Sequence, residues 1–392
     1  MAKIDDSVKK KVPELRFPGF TDDWEERKLS DVANHRGGTA IEKYFDKDGV
    51  YKVISIGSYG LNSQYVDQNI RAISNEITDG RVVNSGELTM VLNDKTANGT
   101  IIGRTLLVEK DNEYVINQRT EIISPKENFD SNFAYTILNG PFREKVKRIV
   151  QGGTQIYVNY PAVSNLNLEL PKIEEQQKIG SFFKQLDDTI ALHQRKLDLL
   201  KEQKKGFLQK MFPKNGEKVP ELRFAGFADD WEERKFKDIL KTHSFRSYLA
   251  GVSENGEYEV IQQGDKPIVG YSDGEPFTDY KDVTLFGDHT VSLYKPKSPF
   301  FVATDGVKIL SADNFEGNYL YTTLERYKPE PQGYKRHFTI LKNQDVWFTE
   351  NMEEQQKIGS FFKQLDETID LHQHKLDLLK EQKKGFLQKM FV

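Results

Sequence analysis

Residues 174–212 read EEQQKIGSFFKQLDDTIALHQRKLDLLKEQKKGFLQKMF, and residues 353–391 repeat this stretch except at Asp188/Glu367, Ala191/Asp370 and Arg195/His374. Apolar and near-apolar residues recur in it with gaps of four and three, which is typical of a coiled-coil seam. In the first copy the seam comprises Ile179, Phe183, Leu186, Ile190, His193, Leu197, Leu200, Lys204, Phe207 and Met211. Each copy predicts a helix roughly 55 Å long at ~1.5 Å per residue. Since each helix must bury its stripe, we expect the two copies to pack side by side and antiparallel.

A second duplication precedes each predicted helix. Residues 12–32, VPELRFPGFTDDWEERKLSDV, return as residues 219–239, VPELRFAGFADDWEERKFKDI, whereas the stretches between have diverged. The fold class expected is α+β: a pseudo-twofold tandem duplication with two domains joined by two long antiparallel coiled-coil helices. We place the first domain at 1–173, the central helix at 174–213, the second domain at 214–352 and the C-terminal helix at 353–392.

The divergent middles show short β-branched or aromatic runs bounded by Gly, Asn and Asp, which predict strands. The predicted strands are residues 50–56, 87–92, 100–108 and 114–123 in the first domain, and 258–262, 290–294 and 306–310 in the second. Residues 131–150 predict a helix that Gly140-Pro141 should break or kink.

Composition narrows the class of protein. With 37% hydrophobic and 30% charged residues, the 392-residue chain has a globular composition, and it has no apolar run long enough to span a bilayer. Its N-terminus lacks the apolar centre of a signal peptide, so we expect a cytoplasmic protein. The absence of cysteine excludes disulfides and thiolate metal sites. A net charge of −4 argues against indiscriminate coating of nucleic acid but allows local basic patches.

Catalytic motifs are weak throughout. The sequence has no GxxxxGK[ST] loop and no glycine fingerprint following a strand. Residues 159–162, Asn-Tyr-Pro-Ala, match a methyltransferase corner only partly, and we interpret them as a turn. Glu26-Arg-Lys28 and Glu233-Arg-Lys235 match the tail of a nuclease motif, without a clear metal-binding acid upstream. An autonomous nuclease or methyltransferase therefore ranks last among the hypotheses.

Several residues within the helices need an explanation. We expect His193 and His372 to be hydrogen-bonded packing residues, and Lys204 and Lys383 to carry their charges out to water. Glycines inside the helices indicate either close approach of another backbone or frayed ends. Four leucines lie off the seam and predict either flank packing or a surface that binds partner subunits: Leu192, Leu199, Leu371 and Leu378.

The order of short motifs around the two helices resembles a known family. The first-half motifs are Trp24, Lys28-Leu29, Asp31-Val32, residues 37–39 (GGT), 51–57 (YKVISIG), 151–155 (QGGTQ) and 175–179 (EQQKI). Residues 260–265 (VIQQGD), 285–290 (LFGDHT) and 354–358 (EQQKI) look like a second recognition domain. Together they resemble the specificity subunit of type I restriction-modification systems, over nearly the whole chain.

This resemblance implies a non-catalytic subunit whose two target-recognition domains each read one half of a bipartite sequence in double-stranded DNA. Two DNA methyltransferase subunits would dock on the helices, and restriction-translocase subunits would join for cleavage. It implies that this chain holds no cofactor, while S-adenosylmethionine, ATP and Mg²⁺ would belong to the partners. Helix length would set the spacing of the half-sites at about one turn of duplex, ~34 Å.

Polar side chains on the divergent loops are the candidate DNA contacts, because their donors suit phosphates and base edges. They are Lys95, Thr96, Asn98, Arg104, Arg148, Thr154, Gln155 and Tyr157 in the first domain, and Gln262, Gln263, Lys266, His289, Lys335 and Arg336 in the second. The alternative function is a coiled-coil adaptor whose lobes bind proteins or glycans. Salt dependence separates the two, since only DNA reading predicts affinity that falls steeply with ionic strength.

Overall fold

The structure is a computed structural model that describes residues 12–95, 98–214, 216–333 and 335–391. The chain forms two compact units. The first comprises Met1–Leu192 with Leu376–Val392, and the second comprises His193–Lys375. Each unit therefore contains one half of each long helix.

The first unit begins with short strands and helices and ends in a long helix. In chain order they are β1 (Glu25–Lys28), α1 (Leu29–Val32), β2 (Ala33–Gly37), β3 (Tyr51–Ile54), β4 (Arg71–Ala72), α2 (Glu76–Asp79), β5 (Val82–Val83), β6 (Leu88–Val91), β7 (Asn93–Asp94), β8 (Thr105–Leu107), β9 (Tyr114–Ile116), β10 (Thr120–Pro125), α3 (Ser131–Asn139), α4 (Pro141–Lys147), β11 (Gln151–Gly152), β12 (Ile156–Tyr157), α5 (Tyr160–Ser164), β13 (Asn167–Leu170) and α6 (Ile173–Lys210). The predicted helix 131–150 is indeed broken at Gly140, where Pro141 starts α4.

The second unit repeats this plan. Its elements are β14 (Glu232–Lys235), α7 (Phe236–Ile239), β15 (Leu240–His243), β16 (Tyr258–Ile261), β17 (Ile268–Ser272), β18 (Thr284–Gly287), β19 (Leu293–Tyr294), β20 (Phe300–Val302), β21 (Val307–Ala312), α8 (Gly317–Tyr327), α9 (His337–Lys342), β22 (Asp345–Phe348) and α10 (Met352–Lys389). Both helices predicted from the duplicated stretch are therefore present.

Sheet topology shows the duplication where the sequence does not. The order β2-β10-β6-β8 in the first unit matches β15-β21-β18-β19 in the second. Likewise β4-β3-β9-β5 matches β17-β16-β20, with β3/β9 and β16/β20 both parallel. In the described residues, the sheet β11-β12-β7 occurs in the first unit alone. The two units thus share the strand order of their main sheets, and the small sheet β11-β12-β7 distinguishes the first unit from the second in the described residues.

The long helices pack antiparallel, as their seams predict. In the first unit the rings of Phe182 and Phe386 lie 5.0 Å apart. In the second unit the duplicated pair, Phe207 and Phe361, lies 5.1 Å apart. All seam residues of α6 are buried or half-buried.

One expectation for the seam was wrong. Lys204 does not carry its charge to water: its Nζ lies 2.5 Å from carboxylate oxygens of both Glu325 and Asp366. Lys383 similarly pairs with Asp187 at 2.5 Å. Acidic residues that face the seam make an internal partner available, so these lysines need not reach solvent.

The duplicated VPELRF segment explains why the EEQQK motif recurs. In the first unit Arg16 donates two hydrogen bonds to the buried carboxylate of Glu175, and Leu15 N–H donates to Lys389 O at 2.8 Å. In the second unit Arg223 pairs in the same way with Glu354. The segment therefore binds the start of one long helix and the end of the other.

The EEQQK glutamines and a helical glycine fix each long helix to its domain. Gln176 Oε1 accepts a hydrogen bond from the N–H of Asp130, the N-cap residue of α3. A Cβ added at Gly180 would lie 2.6 Å from Phe133 N, so this glycine permits close approach of α3. A Cβ at Gly206 would meet nothing within 4 Å. Close approach thus explains only the glycine of each helix that lies near its domain.

Candidate nucleic-acid interface

The small sheet of the first unit brings two predicted contact regions together. Strand β12 pairs antiparallel with β7, matching Tyr157 with Asn93 and Ile156 with Asp94. The loop after β7 and the β11–β12 hairpin are therefore neighbours, although some sixty residues separate them in sequence. The exposed predicted residues of this region are Lys95, Asn98, Arg148, Thr154, Gln155 and Tyr157.

Positive charge is available on this surface. Within the described residues, neither Lys95 nor Arg148 forms an ion pair. Lys147, next to Arg148, is by contrast paired with Glu144 at 2.7 Å. An exposed cation without a carboxylate partner remains free to neutralise a phosphate.

Two of the predicted contacts stand apart. Arg104 is half-buried, and its Nε donates to Thr100 O at 2.9 Å while Nη1 donates to Ser63 Oγ at 2.9 Å. Burial lowers the pKa of its guanidinium. These bonds tie the side chain of Arg104 to its own loop and to Ser63. Thr96 lies outside the described residues.

In the second unit, three loops meet at one buried acid that sequence reasoning missed. Asp288 Oδ1 accepts the N–H of Phe338 at 2.9 Å, which ties the loop after β18 to the start of α9. Gln263 Oε1 accepts the N–H of His289 at 2.9 Å, which adds the loop after β16. The predicted residues Gln262, Gln263, Lys266, His289, Lys335 and Arg336 therefore lie on loops joined by hydrogen bonds.

Buried His337 completes this junction. Its Nε2 accepts the N–H of Gln332 at 2.9 Å, so the proton of the neutral ring is on Nδ1, 3.1 Å from Asp288 O. The ring thereby positions the loop that carries Lys335 and Arg336. Asp288 lies within the motif at residues 285–290 and His337 lies in no quoted motif. Their pairing could not be predicted, because it depends on contacts between loops distant in the chain.

The off-seam leucines are exposed. Leu192 and Leu371 have exposed fractions of 61% and 67%, and Leu199 and Leu378 are exposed as well. Seam residues such as Leu197 are buried. Flank packing therefore does not explain the four leucines, and the partner-surface hypothesis stays a prediction.

The weak catalytic motifs have structural roles. In residues 159–162, Tyr160 starts α5 and its buried ring packs on that of His35 at 4.5 Å. Glu26 and Lys28 lie on the exposed strand β1, where Lys28 Nζ donates to Asn165 Oδ1 at 3.3 Å. Among the described residues, no three His, Cys, Asp or Glu side chains lie close enough together to hold a metal ion.

No helix in the described ranges combines the length and the apolar character that crossing a bilayer requires.

Comparison with known proteins agrees with the duplicated architecture. The family model "Type I restriction modification DNA specificity domain" matches residues 21–202 and 228–381. The specificity subunit of the type I restriction enzyme MjaVIII from Methanocaldococcus jannaschii is 26% identical over 192 residues, which are 47% of this chain and 44% of that relative. The match therefore spans less than half of that relative's length.

Two further similarities extend over almost the whole chain. The putative type I restriction enzyme MjaX specificity subunit of the same organism is 22% identical over 401 residues, covering 93% of this chain and 92% of the relative. The crystal structure of a type I restriction-modification S subunit from M. genitalium has 16% identity. It covers 97% of this chain and 99% of that chain, with a TM-score of 0.71, so the fold is shared.

Proposed function

Because the chain belongs to the family defined by the type I restriction modification DNA specificity domain, we propose that it is the DNA-reading subunit of a type I restriction-modification enzyme. Each unit would read one half of a bipartite target in double-stranded DNA. The observation that carries this proposal is the matching strand order of the four-stranded sheets β2-β10-β6-β8 and β15-β21-β18-β19 beneath unlike loops. Two domains with a shared sheet topology and different loops suit a DNA target whose two halves differ in sequence.

The exposed loop residues supply the chemistry of reading. Gln155 and Asn98 have amide groups that pair with the adenine edge in the major groove, and Arg336 suits guanine. Lys95 and Arg148 would neutralise phosphates. The remaining proposed contacts are Thr96, Thr154, Tyr157, Gln262, Gln263, Lys266, His289 and Lys335. We assign Arg104 a supporting role beneath its loop, because its donors already bond to Thr100 and Ser63.

We infer that methylation and cleavage belong to partner subunits. The sequence offers no phosphate loop and no dinucleotide fingerprint. S-adenosylmethionine, ATP and Mg²⁺ would therefore bind to two methyltransferase subunits and to the restriction-translocase subunits. Such a subunit would act in the cytoplasm, where the DNA of a bacterial cell lies.

The exposed leucines of the long helices would bind the methyltransferase subunits. Leu192 and Leu371 occupy the same position in the duplicated sequence, as do Leu199 and Leu378. A duplicated apolar surface offers two like sites to two copies of one partner. This repetition supports the count of two methyltransferase subunits that the family resemblance implies.

Salt dependence tests the proposal against the adaptor alternative. The chain assembled with its methyltransferase subunits should bind cognate DNA with log K falling linearly in log salt, by about 0.9 per phosphate contact. Lys95→Gln and Arg148→Gln should each flatten the slope by about 1. Lys147→Gln is the matched control, since its charge is paired with Glu144. Binding that ignores salt, or no binding to DNA, would contradict DNA reading.

A further inference from the structure

The loop between β7 and β8, of which the structure describes residue 95 and residues 98–104, rests on a buried arginine of α4. The side chain of Arg143 is 7% exposed. Its Nε donates to Ile102 O at 2.9 Å, and its Nη2 donates to Gly99 O at 3.1 Å and Thr100 O at 2.8 Å. The guanidinium of Arg143 thus donates hydrogen bonds to three backbone carbonyl groups of the loop.

This cation has no acidic partner in the described part of the chain. Its hydrogen bonds all go to loop carbonyls. Burial lowers the pKa of Arg143 to about 10, which leaves the group charged at neutral pH. A buried charge is costly unless its bonds are well formed. The residue therefore binds to one conformation of the loop, since a shifted loop would leave the charge without acceptors.

We propose that Arg143 is a positioning residue for half-site recognition, holding the β7–β8 loop in the shape that presents Asn98 and its neighbours to DNA. This inference rests on the proposed function. Arg143 itself is too deeply buried to touch DNA, so it acts through the loop.

The β7–β8 loop packs between α4 and the β11–β12 hairpin. Gly103, at φ +70°, lies so close to α4 that an added Cβ would be 2.9 Å from Val146 Cγ1. Gly99, at φ +61°, faces the hairpin, where an added Cβ would be 3.1 Å from Ile156 Cδ1. A displaced loop would therefore press on β12 and on the residues that flank it.

A second contact fixes the start of the same loop. Asp94 Oδ2 accepts the N–H of Ile101 at 2.8 Å. Arg143 and Asp94 thus bond to opposite polar groups of the loop backbone, one to carbonyls and the other to an amide. Together with the backbone bonds that Gly103 N–H and Arg104 O form with Val91 of β6, they define its path.

Two guanidinium groups share one loop carbonyl. Thr100 O accepts from Arg143 Nη2 and from Arg104 Nε. Neither arginine forms an ion pair with a carboxylate among the described residues, although Glu144 and Asp94 lie close enough to act on Arg143 by raising its pKa. Besides fixing the geometry of the loop, the two guanidinium groups create a positive field that attracts an approaching phosphate.

The two effects can be separated by substitution. Arg143→Lys keeps the charge but replaces a planar fork with a single point donor. Arg143→Gln removes the charge and shortens the side chain. The lysine variant should therefore lose positioning and keep the field, whereas the glutamine variant should lose both.

The test uses the chain assembled with its methyltransferase subunits. Methylation rates are measured on cognate DNA and on DNA with single base changes in each half-site. Both Arg143 variants should lower discrimination at the half-site of the first domain by about tenfold, which is what one misplaced base contact costs. Discrimination at the other half-site should stay within about twofold. The salt slope should fall in Arg143→Gln alone, and Lys147→Gln, on the same helix, should change neither quantity.

Other outcomes would overturn the inference. A merely structural role would lower the rates on cognate and altered DNA by the same factor, leaving discrimination intact. Full discrimination in both Arg143 variants, or equal loss at both half-sites, would likewise contradict positioning. If Arg143→Gln fails to assemble, Arg143→Lys carries the test alone. A wild-type complex without any sequence preference would instead refute the proposed function.

Discussion

His193 Nδ1 lies 3.3 Å from His372 Nδ1, within the second unit. The two residues occupy the same position in the duplicated sequence, at the midpoint of each predicted helix. Their contact confirms the antiparallel packing expected from the repeats, and their expected role as hydrogen-bonded packing residues. Because a protonated nitrogen cannot accept, one Nδ1 must be the donor and the other unprotonated.

This pair predicts a non-additive double substitution. His193→Leu alone should lower stability by about 1 kcal/mol, because it leaves His372 half-buried without its partner. His193→Leu with His372→Leu should restore most of that loss, since both polar groups then leave the seam together. Thermal unfolding of the wild type, of His193→Leu, of His372→Leu and of the double variant measures the coupling. Additive losses would show that the rings merely touch.

The bidentate pairs formed by the VPELRF segments should stabilise their units strongly. Arg16→Met should cost about 3–5 kcal/mol, because Glu175, only 1% exposed, would be left charged and unpaired. Lys389→Met is the control: its pair with Glu14 is exposed, and its loss should be close to neutral. Denaturant unfolding with hydrogen exchange should locate the damage in the first unit. A small effect of Arg16→Met would mean that water compensates Glu175.

Two glycines of α6 should respond oppositely to alanine. Gly180→Ala should destabilise by about 1–3 kcal/mol, because the added Cβ would meet Phe133 N at 2.6 Å. Gly206→Ala faces open space and should stabilise by roughly 0.5–1 kcal/mol through helix propensity. Unfolding midpoints of the two variants provide the measurement. If both alanine variants were more stable than the wild type, α3 would have to shift away from α6 at little cost in free energy.

The exposed leucines should matter for assembly and not for folding. Leu192→Glu and Leu371→Glu should weaken methyltransferase binding at least about tenfold while helicity stays unchanged, because both side chains are exposed in this chain. Leu197→Glu, in the buried seam, is the contrasting variant and should lose helicity. Circular dichroism and co-purification distinguish the cases. Intact assembly of the exposed-leucine variants would place the partner surface elsewhere.

The duplicated helices could be predicted from sequence because a periodic stripe determines both their type and their pairing. The residues at which strands begin and end were harder to predict from the sequence. Residues 100–103, predicted to be part of a strand, form a loop, since Ile102 is buried there without strand pairing and Gly103 has a positive φ. Residues 114–123 form two strands rather than one, because Arg119 turns the chain at φ +68°. A non-glycine residue at such an angle leaves no composition signal.

The reading loops show the same limit. Donor-rich residues on loops could be identified individually, and most of them prove to be exposed. Which of these residues lie together could not be predicted from the sequence. Their proximity depends on the pairing of β12 with β7 and on the hydrogen bond between Asp288 and Phe338, which join residues far apart in the chain. In the sequence, Arg143 is one of four cations within six residues, with Lys145, Lys147 and Arg148. Its bonds to three loop carbonyls become apparent only in the fold.

Exchange of residues 33–171, the divergent part of the first domain, tests whether each unit reads its own half-site independently. The replacement would come from another family member, and the complex would be examined by methylome sequencing. The account predicts that one half of the methylated sequence changes and the other half is retained, because each unit reads alone. A change in both halves, or in neither, would contradict independent reading by two domains.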